Sequence, residues 1–194
     1  MLVKKKKENS LLKNLILAFF FVGIILVYFN HLSNNASRKR TTSEKTDIET
    51  LVEYDMQGNY PKTPRDVVKL HCRYMKLFYS KKLEDIEIKE LNSKVIGLYS
   101  SELMRINTEE TIYADLKANI KDMKKEGYVY LMYTLPEISQ IKTYTKDGKN
   151  MATMEVEIAL DTKEQKGYMY IQYVLVKENE QWKILAWGES KLNN

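Results

Sequence analysis

The chain has 194 residues, 44% of them hydrophobic and 29% charged, a globular composition that excludes wholesale disorder. Its net charge of +5 suggests a nucleic-acid partner, but residues 1–40 hold eight Lys or Arg against Glu8 alone, leaving 23 basic and 25 acidic side chains in 41–194. The folded part therefore lacks the basic footprint that nucleic acid requires, and the single cysteine, Cys72, excludes an internal disulfide and the usual cysteine-based zinc site.

In chain order, residues 1–10 form a short lysine-rich tail. Leu15 to Phe29 then run for fifteen residues without a charged or amide side chain. With Leu11 and Leu12 the apolar segment covers 11–29, long enough as a helix to cross most of a ~30 Å hydrocarbon layer. Lys13 can snorkel to the headgroups and Tyr28 supplies an aromatic anchor at the far end. A cleaved signal peptide shares this pattern, but Asn34-Asn35-Ala36, the nearest candidate, puts Asn where a small residue is needed. The segment is read as an uncleaved, single-pass transmembrane signal anchor held in membrane lipid. Lys4 to Lys7 and Lys13 outweigh Arg38, Lys39 and Arg40, so the positive-inside rule puts the N-terminus in the cytoplasm and the domain outside the cell membrane.

Residues 30–60 read as a polar stalk, although Ile48, Leu51, Val52 and Tyr54 would let a short element dock. The domain is expected over 61–194. Thr63-Pro64-Arg65-Asp66 is a helix start: a capping threonine, proline at the first helical position, an acid in the first turn. Val67, Val68, His71, Cys72, Phe78 and Tyr79 continue it at helical spacing over 64–80. Met75 belongs to the same stripe. His71 is expected to be a hydrogen-bonded core histidine and Cys72 a small buried hydrophobe. A second helix is predicted within 84–104 on Ile88, Leu91, Val95, Leu98 and Tyr99. A third runs from Glu109 to Glu126 on Ile112, Leu116, Ile120 and Met123, capped by Thr108 and stopped by Gly127.

After Gly127 the period changes to two, predicting strands at 128–134, 138–146, 151–161, 167–178 and 181–188. Asp147-Gly148 and Asn179-Glu180 are tight hairpin turns. Hairpin after hairpin implies an antiparallel sheet with the three helices on one face: an α+β fold.

Thr63 to Val68 opening the first helix and Asn179-Glu180-Gln181-Trp182-Lys183-Ile184 opening the last strand carry a resemblance. The domain resembles the cone-shaped, cystatin-like fold of ketosteroid isomerase, nuclear transport factor two and their relatives, which implies three helices on a curved antiparallel sheet. Tyr60 to Arg65, with the layout of anchor, stalk and domain, is similar to an uncharacterised group of membrane-anchored proteins of Gram-positive bacteria. The layout also resembles the bitopic cone-domain components of conjugation and secretion machines.

An isomerase on this fold would need a general base inside the cone. Glu155 and Glu157 fall on the outward face of their strand, and Asp115 on the third helix is the one weak candidate acid. No phosphate loop, nucleophile elbow or metal-spaced cluster is present, so no cofactor or metal is expected and catalysis has no visible base. Two matching strands stand out instead. Alternation pairs Tyr128 with Tyr130 and Tyr168 with Tyr170, and puts Leu185 and Trp187 together on the last strand. If these aromatics meet on the outer face of the sheet, they form a platform for a protein partner or a second copy. Ordinary cross-strand packing and a ligand cavity are the other readings. The sequence thus favours a non-catalytic extracytoplasmic binding module over a structural part of a secretion- or conjugation-like assembly and over a small-molecule-binding, isomerase-like domain.

Overall fold

The computed structural model describes residues 47–162 and 166–190, so the expected anchor at 11–29 lies outside them. Among the described residues no helix is long and apolar enough to cross a membrane. The first long helix, α1, spans Pro64–Ser80; the Thr63 side chain accepts a hydrogen bond from the Asp66 backbone N–H and satisfies a donor that the helix cannot. Its buried stripe includes Val67, Val68, Cys72, Tyr74 and Phe78, each worth roughly 1.5–3 kcal/mol of apolar burial. The Tyr74 hydroxyl donates to the Leu51 carbonyl at 2.9 Å, and Leu51 is buried. The compact unit accordingly begins at Thr50, ahead of the boundary at 61 that polarity suggests.

After a helical segment at 47–52, the described residues form four helices between Pro64 and Glu126 instead of the three expected. The stretch 84–104 divides into α2, Asp85–Ile96, and α3, Ser101–Ile106. Gly97 closes α2, and Leu98 to Ser100 leave the helical path to pair with the last strand, an interaction between Tyr99 and Ile184 that helical spacing cannot reveal. Ser100 restarts the helix by accepting from the Leu103 N–H, and the Glu178 carboxylate takes bonds from the Ser101 N–H and hydroxyl. The last helix, α4, spans Glu109–Glu126; Thr108 caps it and Gly127, at φ 76, ends it in the left-handed region that glycine tolerates.

Five strands follow in an open antiparallel sheet: β1 Val129–Thr134, β2 Lys142–Lys146, β3 Lys149–Asp161, β4 Lys166–Glu178 and β5 Gln181–Glu189. The order is β1-β3-β4-β5, with β2 also paired to β3. Because β4 occupies the opposite edge of β3 from Met151 to Asp161, β1 and β2 lie one after the other along the same edge. The expected strand 138–146 is shorter, since Ile138–Gln140 forms a 3-10 turn anchored by the Gln140 side chain on the Glu137 N–H. Both hairpin turns occur as two-residue loops with positive φ, at Asp147 and Gly148 and at Asn179 and Glu180, the geometry that matches strand twist.

Ala152, Met154, Val156 and Ile158 are buried on the inner face of β3. Helix α1 packs across β1 and β5, whereas α4 packs on α1 and α2. The free edges are guarded. All five residues of β2 are exposed and its ends are Lys142 and Lys146, while Leu98 to Ser100 cover part of β5; charge and cover both discourage pairing with another chain.

Candidate functional site

Several apolar side chains at core positions of the sequence pattern do not reach the core. Met75, Tyr79, Ile112, Met123 and Met169 are half-buried, and Trp187 and Tyr128 are each 39% exposed. They line two adjoining cavities on the inner side of the sheet. The smaller, of about 310 Å³, lies among α1, α2, α3 and α4 and is lined in part by Asn92, Tyr99, Leu103 and Ile112. The larger, of about 530 Å³, separates α4 from the sheet, with Met123 on one wall and Tyr130, Ile158, Met169 and Tyr173 on the other. Met75, Tyr79, Asn119 and Trp187 line both. Their volumes fall in the range of small-molecule sites, which are apolar clefts with a few polar groups.

The floor is an aromatic cluster built around a histidine. Trp187 stacks on Tyr99 with centroids 5.0 Å apart and meets the His71 ring edge-on, also at 5.0 Å. The His71 Nδ1 is 3.0 Å from the Tyr173 hydroxyl and its Nε2 3.3 Å from the Tyr99 hydroxyl. Burial drives the His71 imidazole down to about 3, so the ring is neutral at physiological pH, donating from one nitrogen and accepting at the other. One of the two tyrosines is therefore a donor to the ring and the other an acceptor. Burial also raises both phenols and pushes the Cys72 thiol up to about 12. Cys72 lies 3.7 Å from the Tyr173 hydroxyl. Among the described residues the Tyr130 hydroxyl, buried beside that thiol, has only this weak hydrogen-bonding neighbour and no well-formed hydrogen bond, an uncommon and costly state for a buried polar atom.

The five aromatics singled out from the sequence are divided between two faces. Tyr128, Tyr130 and Trp187 line the larger cavity. Tyr168, which is 65% exposed, and Tyr170 pair with Ala159 and Glu157 on the outer face, where the Tyr170 hydroxyl donates to Glu157. The single outer platform does not assemble. For Trp187 the reason is a bulge: β5 carries an extra residue, Leu185, between the partners of Leu175 and Val174. An inserted residue reverses the faces of everything after it, so Trp187 joins Ile184 and Tyr173 on the inner side and parts from Leu185. A second irregularity, between Tyr130 and Met132, places Tyr130 inward opposite Leu160. Asp115 lines the smaller cavity from the exposed rim of α4. His71 and Tyr99, read from the sequence as members of apolar helix stripes, and Tyr173 of β4, which sequence reasoning did not single out, form the floor; the interruption of an apolar stripe by a histidine was the available signal.

No curated protein matches the chain. Among solved structures, TraH from the Gram-positive conjugative plasmid pIP501 is similar with a TM-score of 0.39 and 15% identity, over 69% of this chain and 98% of that one. The intermembrane-space region of the chloroplast protein ARC6 is similar with a TM-score of 0.30 and 14% identity, over 66% of this chain and 98% of that one. At these scores neither likeness bears on function. A family model does match, over residues 3–187, and the chain belongs to the family described as Domain of unknown function (DUF6715).

Proposed function

We propose that this protein is a membrane-tethered, non-catalytic binding module that takes a small apolar or aromatic ligand in the cleft between α4 and the inner face of the sheet. In this reading residues 11–29 are a signal anchor, the N-terminus is cytoplasmic, and the domain is an extracytoplasmic member of the cone-shaped, cystatin-like folds. One observation carries the binding reading: Met75, Tyr79, Met123, Met169 and Trp187, which lie at core positions of their elements, converge half-exposed on one cleft. Apolar surface that a domain leaves open and contiguous marks a place where something docks. Methionine is suited to such a surface because its unbranched side chain adapts to the occupant.

An isomerase-like reading has Asp115 as its base and the smaller cavity as its site. Asp115 stands exposed at the rim, away from the desolvated floor where bases of this fold class act, so binding is the better account.

The test is calorimetry on the full chain in phosphatidylcholine nanodiscs, titrated with 1-naphthalenemethanol and referenced to empty nanodiscs. Saturable heat that Met123→Arg abolishes is expected. Heat indistinguishable from partition into empty discs sinks the proposal.

A further inference from the structure

We infer that the cleft selects organic cations: a compact aromatic or apolar body bearing an ammonium group. This deepens the binding reading above and rests on it. Two observations point the same way. First, four carboxylates, Asp115, Asp122, Glu126 and Glu189, border the two cavities, and among the described residues neither cavity is lined by a lysine or arginine. Of the α4 lysines, Lys117 bonds Asp85 of α2 at 2.7 Å. Second, the walls present open aromatic faces, with Trp187 and Tyr128 each 39% exposed, and the negative face of an aromatic ring attracts a cation.

The parts divide the work. The aromatic and methionine walls hold the body of the ligand, and the carboxylates choose the sign of charge. An anion of the same shape meets four like charges with no compensating cation, so the cleft discriminates by repulsion as well as attraction.

Three probes of one shape separate these contributions: 1-naphthylmethylammonium, 1-naphthalenemethanol and 1-naphthalenesulfonate. Each is titrated calorimetrically into the full chain in phosphatidylcholine nanodiscs at low salt, against empty discs. The ammonium is expected to bind roughly 3- to 10-fold tighter than the alcohol, the sulfonate more weakly than either, and the preference should shrink at high salt. A variant carrying Asp115→Asn, Asp122→Asn, Glu126→Gln and Glu189→Gln, all exposed positions, should lose most of the preference and keep only the part that the aromatic faces supply. Equal binding of ammonium and alcohol by the unaltered protein overturns the cation inference and leaves the cleft reading standing. A preference undiminished in this variant overturns the assignment to these carboxylates. No saturable binding of any probe overturns both proposals.

Discussion

Trp187 and Tyr99 stack at 5.0 Å with their planes 28° apart, and the pair separates the buried His71 from the open cleft. Trp187 is thus at once part of the wall and the lid over a polar core. Trp187→Ala should cost roughly 2 kcal/mol, less than the 3–5 of a fully buried aromatic because the ring is partly exposed. The urea midpoint followed by far-ultraviolet circular dichroism would measure it. Trp187→Phe, which keeps a ring over Tyr99, should recover at least half of the loss.

The neutral, buried His71 makes stability depend on pH. Its folded value of about 3 lies below the ordinary 6.5, so between those values the unfolded chain binds the proton and the folded protein does not. Stability therefore rises with pH through this window and falls on acidification, by up to about 1.4 kcal/mol per pH unit from this one group. His71→Gln should be less stable near neutrality, having lost ring contacts, yet its urea midpoint should change less between pH 6.5 and 4.5. An unaltered acid slope would show that other groups govern the window.

Two buried tyrosines should respond oppositely to loss of the hydroxyl. Tyr173→Phe removes the partner of the His71 Nδ1 and the neighbour of the Cys72 sulfur, and should cost roughly 1–3 kcal/mol. Tyr130→Phe removes a hydroxyl without a well-formed hydrogen bond and should be neutral or stabilising by about 1 kcal/mol. Chemical denaturation of the two variants side by side decides the matter; equal losses would mean that the Tyr130 hydroxyl is satisfied.

The β4–β5 turn holds Glu180 at φ 64 without being glycine. Left-handed geometry costs an ordinary side chain roughly 1 kcal/mol. Glu180→Gly should therefore raise stability by about 0.5 kcal/mol after loss of the exposed contact with Lys177, and thermal unfolding should show a higher midpoint.

How much of this was legible in the sequence depends on whether the signal was local. Thr63-Pro64 and Thr108 with Gly127 mark helix ends through their own backbone chemistry, and the limits of α1 and α4 follow directly. Asp147-Gly148 and Asn179-Glu180 likewise specify their turns. The division of α2 from α3 does not follow, because Leu98 and Tyr99 keep helical spacing while their backbone is claimed by Ile184. The bulge at Leu185 has no residue signature, and it moves Trp187 to the other face. Nor does periodicity tell a core position from a cleft position: Met75 and Phe78 share the apolar stripe of α1, but only Phe78 is buried. The floor of the cleft was accessible only as an anomaly, a histidine in an oily stripe.

The exchange between Ile184 and the turn before α3, where the Ser100 N–H donates to the Ile184 carbonyl and the Ile184 N–H to the Leu98 carbonyl, has a consequence for assembly. The helical half of the domain is complete in sequence long before the last strand is synthesised, yet one of its joints is closed only by that strand. During synthesis the early helices must wait with greasy surface uncovered, and maturation is timed by the arrival of the C-terminal hairpin. A chain cut before Gln181 should accumulate as a protease-sensitive collapsed species, not as a smaller copy of the fold.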